Sequence, residues 1–202
     1  MTVPGPVYLR LGRSATPPLP PGAPPFRLGE LQTLRHPTRP RPPAGPAGLV
    51  LTGRVGVAEV AILASGPYPV LAALGAADLL AARGIAASVH NVHTPHPLDV
   101  AGVLAAAEPA AAVVTVEEHW RTGGLGSAIA EVLSEHAPRR LARIGVPDTF
   151  ATRVGDQRDL LDHYGITDTR VADAALRLLH TTRPHRAAGL TAQILPIQRR
   201  PS

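Results

Sequence analysis

The chain has 202 residues, of which 45% are hydrophobic and only 3% aromatic, so a core of ordinary size must be filled by Ala, Leu and Val. It contains neither cysteine nor lysine, which removes disulfides, thiolate chemistry, Schiff-base catalysis and a phosphate-loop lysine together, and fits a cytoplasmic protein. The net charge of +5 is unevenly spread: residues 1–54 carry seven Arg and one acid, residues 55–182 nine Arg and fourteen acids, and residues 183–202 four Arg and no acid. The basic excess therefore belongs to two arms around an acidic body. No base-stacking aromatics or reading motif accompany the arginines, so no nucleic-acid partner is expected. No apolar run is long enough to span a membrane, and the N-terminus lacks the pattern of a signal peptide.

Taken in order, Gly5-Pro6-Val7-Tyr8-Leu9-Arg10-Leu11-Gly12-Arg13 reads as one short strand ending in a turn. Residues 14–48 are too rich in proline for helix or central strand and read as a polyproline-like linker. The alternating island from Phe26 to Arg35 suits an edge strand within it. From Leu49 the composition turns apolar. Leu49-Val50-Leu51 and Glu59 to Ala64 are strand candidates, and the second stops at Ser65-Gly66-Pro67. A helix follows, with Pro69 in its first turn, Val70, Leu71, Leu74, Ala77 and Ala81 inward, and Arg83-Gly84 as its stop.

Ala86 to Val92 is the next strand, Val100, Val103, Leu104 and Ala107 mark a short helix, and Ala111 to Val116 returns to strand. That β-branched run stops at Glu117 and Glu118. His119-Trp120-Arg121-Thr122 then leads into Gly123-Gly124-Leu125-Gly126, and Leu125, Ala128, Ile129, Val132 and Leu133 form a helical stripe. Alternating strands and helices at this spacing predict βαβ crossovers, hence an α/β fold with an open, mostly parallel sheet between two helix layers. Val171, Ala174, Ala175, Leu178 and Leu179 form a closing helix that Asp168 could cap, and residues 181–202 read as a disordered basic tail.

Three groups invite chemistry. The glycines from Gly123 to Gly126 lack the third glycine of the dinucleotide pattern, since Ile129 stands there. Close packing of helix on sheet explains them, and an anion held near Gly124 to Ser127 is the alternative. Glu117, Glu118 and His119 have the chemistry of acids and bases. At the end of a strand they can equally hold the glycine turn or face a neighbouring domain. His90, His93 and His96 suggest a metal cluster, but strand alternation separates the first two and Pro95 and Pro97 block a realigning helix.

The string EEH, four residues, then GLGSAIAEVL resembles the C-terminal domain of the transketolase family of thiamine-diphosphate enzymes. LASGP, NVHTPHPLD, LARIGVPDTF and LLDHYGIT resemble further segments of that domain, in order, and the opening G-P-x-x-x-R-x-x-R resembles the last strand of the family's pyrimidine-binding domain. The resemblance implies four segments: 1–13 as that remnant strand, 14–48 as linker, 49–180 as a transketolase C-terminal-like domain, and 181–202 as a basic tail.

It implies that Arg13 binds a substrate phosphate, a role its planar donors suit. It also implies that Glu118, His119, Gly123, Gly124, Gly126 and Ser127 make interdomain or anion contacts rather than perform chemistry, and that this chain carries no catalytic residue or metal ligand. Family members hold thiamine diphosphate and Mg2+ between two other domains, one with a G-D-G…N pattern that is missing here. The expected role is therefore the C-terminal component of a split or truncated transketolase-like enzyme. It would complete a homo- or hetero-oligomer with thiamine-diphosphate-binding N-terminal subunits for two-carbon ketol transfer. The EEH form leans towards transketolases and deoxyxylulose-phosphate synthases over dehydrogenase relatives. The alternatives are a non-catalytic interaction or regulatory domain derived from the family, and a start that lies inside a longer reading frame.

Overall fold

The computed structural model describes residues 4–12, 15–19, 21–37 and 58–180. The strand expected at Leu49 to Leu51, the tail beyond residue 180 and Arg13 lie outside the described residues. Ten elements follow in chain order: β1 (Gln32–Arg35), β2 (Val60–Ser65), α1 (Pro67–Ala81), β3 (Ala87–Asn91), α2 (Val100–Ala107), β4 (Ala112–Trp120), α3 (Leu125–His136), β5 (Arg140–Val146), α4 (Gln157–Tyr164) and α5 (Asp168–His180).

The strands form a five-stranded sheet in the order β1-β3-β2-β4-β5. β2, β3, β4 and β5 run parallel, and β1 closes one edge antiparallel to β3. Helices cover both faces, so β2 and the first half of β4 read as near-continuous apolar runs, whereas β3 carries Ser88 and His90 between its apolar residues. Val60, Ile62, Ala64, Val114 and Val116 point into a core shared with α1 and α5. The intervening Ala61, Leu63 and Val113 point the other way, against Val103 and Ala107 of α2 and Leu125, Ile129 and Leu133 of α3. This is the three-layer α/β/α architecture that the sequence implies.

Local chemistry sets the ends of the elements. Asp99 caps α2, its Oδ1 accepting the Gly102 N–H at 2.8 Å while Oδ2 accepts the Leu31 N–H at 2.8 Å. One carboxylate thus starts a helix and tethers the lead into β1. The α5 start differs from expectation by one residue. Thr167 supplies the helix's first backbone acceptor, for the Val171 N–H at 3.0 Å, while its hydroxyl lies 3.4 Å from the Arg170 N–H. Helix α1 is rotated from the expected phase, burying Pro69, Val70, Ala73, Ala76, Ala77 and Leu80. Small side chains there let the helix lie close to the sheet and to α5, so leucines 71 and 74 are displaced to the rim.

Of residues 5–13, read as a strand, the described residues 5–12 pair with no strand among the described residues. Val7, Tyr8, Leu9 and Leu11 are all exposed. A lone strand has nothing to satisfy its backbone, so the segment lies as an irregular arm over the carboxyl ends of the strands. Arg10 holds it there through two hydrogen bonds from its guanidinium to the Glu118 carbonyl, both 3.1 Å. The Tyr68 hydroxyl donates to the Ala15 carbonyl at 3.1 Å further along.

Candidate functional site

The carboxyl end of β4, the glycine turn and the start of α3 form one continuous unit. β4 does not stop at the acids but runs on to Trp120, because Glu117 faces inward and is only 2% exposed. Burying an ionised carboxylate requires strong donors. They come from the helix: the Leu125 N–H donates to Oε2 at 2.7 Å and the Gly126 N–H to Oε1 at 2.8 Å. The N-terminal partial charge of α3 adds a favourable field. The next two N–H groups of the helix, on Ser127 and Ala128, donate to the Gly124 carbonyl at 3.1 and 3.2 Å. The N–H groups of Leu125, Gly126, Ser127 and Ala128 at this helix start are therefore engaged within the chain.

The glycines make this geometry feasible. A Cβ on Gly124 would overlap the Glu117 carboxylate and the Trp120 carbonyl, and one on Gly126 would stand 2.7 Å from Thr115 Oγ1. Gly123 differs, having a left-handed φ of 75° and open space around it. Ser127 is fully engaged. Its hydroxyl accepts from the Gly123 N–H at 3.0 Å and from Arg143 Nη1 at 3.0 Å, and donates to the Arg121 carbonyl at 2.9 Å. Glu118 is half-buried and accepts from the Gln157 amide, while its carbonyl receives Arg10. His119 is exposed and Trp120 is 49% exposed, so both offer surface beside the arm.

The structure thus brings Gly124 and Gly126 against Glu117 and ties Gly123 to Ser127 at the same turn, while Glu118 points to the other face of the sheet towards Gln157 and His119 lies exposed. Glu117 is the group that organises the turn, and its signal in the sequence is a carboxylate at a strand end shortly before a glycine-led helix. The histidines are dispersed. His90 is buried in β3 between the Thr33 and Ser88 hydroxyls, at 3.1 Å from Nδ1 and 2.9 Å from Nε2, and burial, with a smaller contribution from His36, lowers its pKa to about 4. His93 stacks on Phe26 with ring centroids 4.3 Å apart. Among the described residues no group of three or more His, Cys, Asp or Glu could hold a metal ion. With the α3 donors taken by Glu117, these residues do not form a cradle for a diphosphate and its metal.

An open sheet of this order, with a buried acid stapling the strand β4 to a glycine turn and helix, defines a three-layer α/β domain. The model of the family described as "Transketolase, C-terminal domain" matches residues 54–171, and the chain belongs to that family. It is 39% identical over 171 residues to 6-deoxy-6-sulfo-D-fructose transketolase subunit SqwH of Clostridium sp. (strain MSTE9), covering 85% of this chain and 46% of that protein. It is 33% identical over 175 residues to an apulose-4-phosphate transketolase subunit of Actinobacillus succinogenes, covering 86% and 50%. A solved structure described as "Split gene transketolase, inactive beta4 tetramer" superposes with a TM-score of 0.67 at 33% identity, over 85% of this chain and 49% of that one. The chain spans about half the length of these relatives. No helix among the described residues is long and apolar enough to cross a membrane.

Proposed function

We propose that the chain is the C-terminal component of a thiamine-diphosphate-dependent transketolase-like enzyme. It completes an assembly that moves a two-carbon ketol unit between sugar phosphates, and the cofactor and Mg2+ are held by partner subunits. The observation that carries this reading is the arm. Four apolar side chains at Val7, Tyr8, Leu9 and Leu11 stand exposed on a segment that Arg10 anchors to the end of β4. Exposed apolar residues at this density call for a covering surface. A neighbouring cofactor-binding domain, joined at residues 1–13, supplies one directly above Glu118, His119 and Trp120. The match to transketolase subunits across the chain supports the same arrangement. In it Arg13 reaches the substrate phosphate, while Glu118 and His119 contact the neighbouring domain, and residues 49–180 form the C-terminal domain.

Co-expression with a subunit that supplies both cofactor-binding domains tests the proposal. The chain should co-elute with that subunit, and ketol transfer should depend on both, on thiamine diphosphate and on Mg2+. Arg10→Gln should weaken co-elution by removing the anchor. Ketol transfer by the isolated chain, or a partner whose activity and assembly ignore the chain, would refute it.

A further inference from the structure

The two edges of the sheet are finished differently. β1 closes one of them with four residues, a register break between Thr33 and Arg35, and a proline-bearing lead whose Pro24 carbonyl the Gln32 amide holds. Short length, irregular register and nearby proline keep a sheet edge from recruiting another strand. β5 closes the other edge with seven residues, of which only Gly145 is buried. It contains no proline, and from Arg140 to Ile144 its register with β4 is unbroken.

The backbone of β5 faces two ways in turn. The Arg121 N–H donates to the Val146 carbonyl at 3.0 Å, so the even-numbered residues of β5 bond to β4. Leu141, Arg143 and Gly145 therefore turn their N–H and C=O groups outward. Among the described residues nothing bonds to these outward groups. Charged side chains guard many such edges, but here both are drawn back over the sheet. The Arg140 guanidinium bonds the Leu178 carbonyl of α5, and that of Arg143 bonds the Arg121 carbonyl and the Ser127 hydroxyl, each at 3.0 Å.

We propose that β5 is a strand-addition site whose occupant is the β5 of a second copy of this chain, paired antiparallel about a two-fold axis. With the axis at Ile144, Arg143 and Gly145 exchange main-chain bonds with Gly145 and Arg143 of the other copy. Gly145 has no side chain to crowd the arginine opposite. The same register sets Ile144 against Ile144 and Ala142 against Val146, and brings Arg140 beside Asp148 at either end. Among the described residues neither Arg140 nor Asp148 has an opposite charge within ion-pair distance, so the pairing supplies one to each. The edge thus complements itself in backbone, apolar pairs and charge, and the pairing draws on no part of the catalytic role proposed above.

Sedimentation of the full chain over a range of concentrations, with hydrogen exchange resolved at single amides, tests the pairing. A dimer should form, and the N–H groups of Arg143 and Gly145 should become protected as it does. Those of Ala142 and Ile144, bonded to β4, should be protected in the monomer as well. Asp148→Arg, at an exposed position, should weaken the dimer at least about tenfold, because each dimer holds the charge pair twice. R140D/D148R should recover most of that loss. Arg143→Pro should abolish the dimer, since it removes an N–H that β4 does not use. R83Q, at an exposed arginine following α1, should sediment like the parent chain. A monomer at every attainable concentration, protection of Arg143 and Gly145 that ignores concentration, or a dimer left intact by D148R and R143P would overturn the proposal. So would protection of those two amides only on adding another protein, which would make the edge a contact between unlike chains.

Discussion

Glu117 fills the space that a side chain on Gly124 would need: a Cβ there would stand 2.8 Å from the Glu117 carboxyl carbon and overlap one of its oxygens. The backbone at Gly124 is extended, with φ −89° and ψ −165°, so the requirement for glycine is one of room and not of handedness. Gly123 is the reverse case, with a φ of 75° and no atom within 4 Å of the place a methyl would take.

Gly124→Ala should therefore cost about 3 kcal/mol or more, as overpacking against the Trp120 carbonyl and a fixed carboxylate, whereas Gly123→Ala should cost about 1 kcal/mol of backbone strain. Urea denaturation of the two variants checks the order. Equal losses would mean that the turn, and not the carboxylate, sets the glycine requirement.

Glu117 itself should be less replaceable than its neighbour. Glu117→Gln keeps the shape but gives up charge and turns one acceptor into a donor facing an N–H, for a loss of about 2–3 kcal/mol. Glu117→Ala leaves two buried N–H groups without acceptors and should cost about 3–5 kcal/mol. Glu118→Gln should lie within about 1 kcal/mol of the parent, because that side chain is half-buried and bonded through a single amide. Thermal melts of the three variants give the ranking directly.

His90 makes stability depend on pH in a defined window. The unfolded chain takes up its proton near the ordinary value of 6.5, and the folded chain only near about 4. Between those values the unfolded state binds more protons, so stability falls as the pH falls from 6.5 towards 4, by on the order of 3 kcal/mol in all. His93, also lowered by burial, adds to the same trend. His90→Gln should flatten much of the slope. An unchanged slope in that variant would assign the acid sensitivity to other groups.

The double duty of Asp99 separates two effects. Asp99→Ala loses the α2 cap and the Leu31 tether, for about 2–3 kcal/mol, while Asp99→Asn keeps one oxygen and should lose about half as much. Hydrogen exchange at β1 should quicken in both variants, and faster exchange confined to α2 would show that the tether contributes nothing.

Much of this architecture can be read from the chain because the apolar runs at β2 and the start of β4 are near-continuous, as strands covered on two faces tend to be. Alternation around Phe26 to Arg35 likewise marks an edge strand, which the structure narrows to Gln32–Arg35. The end of β4 is harder. Two acids look like a stop signal to any reading of hydrophobicity, and only the donors of α3, eight and nine residues on, make Glu117 an inward-facing residue. Helix α1 misleads for a related reason: Leu71 and Leu74 carry the stronger hydrophobic signal, yet Ala73, Ala76 and Ala77 are buried because two neighbours must approach closely.

Ala73, Ala76 and Ala77 of α1 pack in one core with Ala172 and Ala175 of α5, and Asp168 leaves only 3.0 Å for a Cβ on Gly75. A contact made of methyl groups has little left to delete and no slack to admit more. Change along this seam is thus constrained most from above: enlargement to valine or leucine prises the layer apart, whereas trimming to glycine costs about 1 kcal/mol of helix propensity.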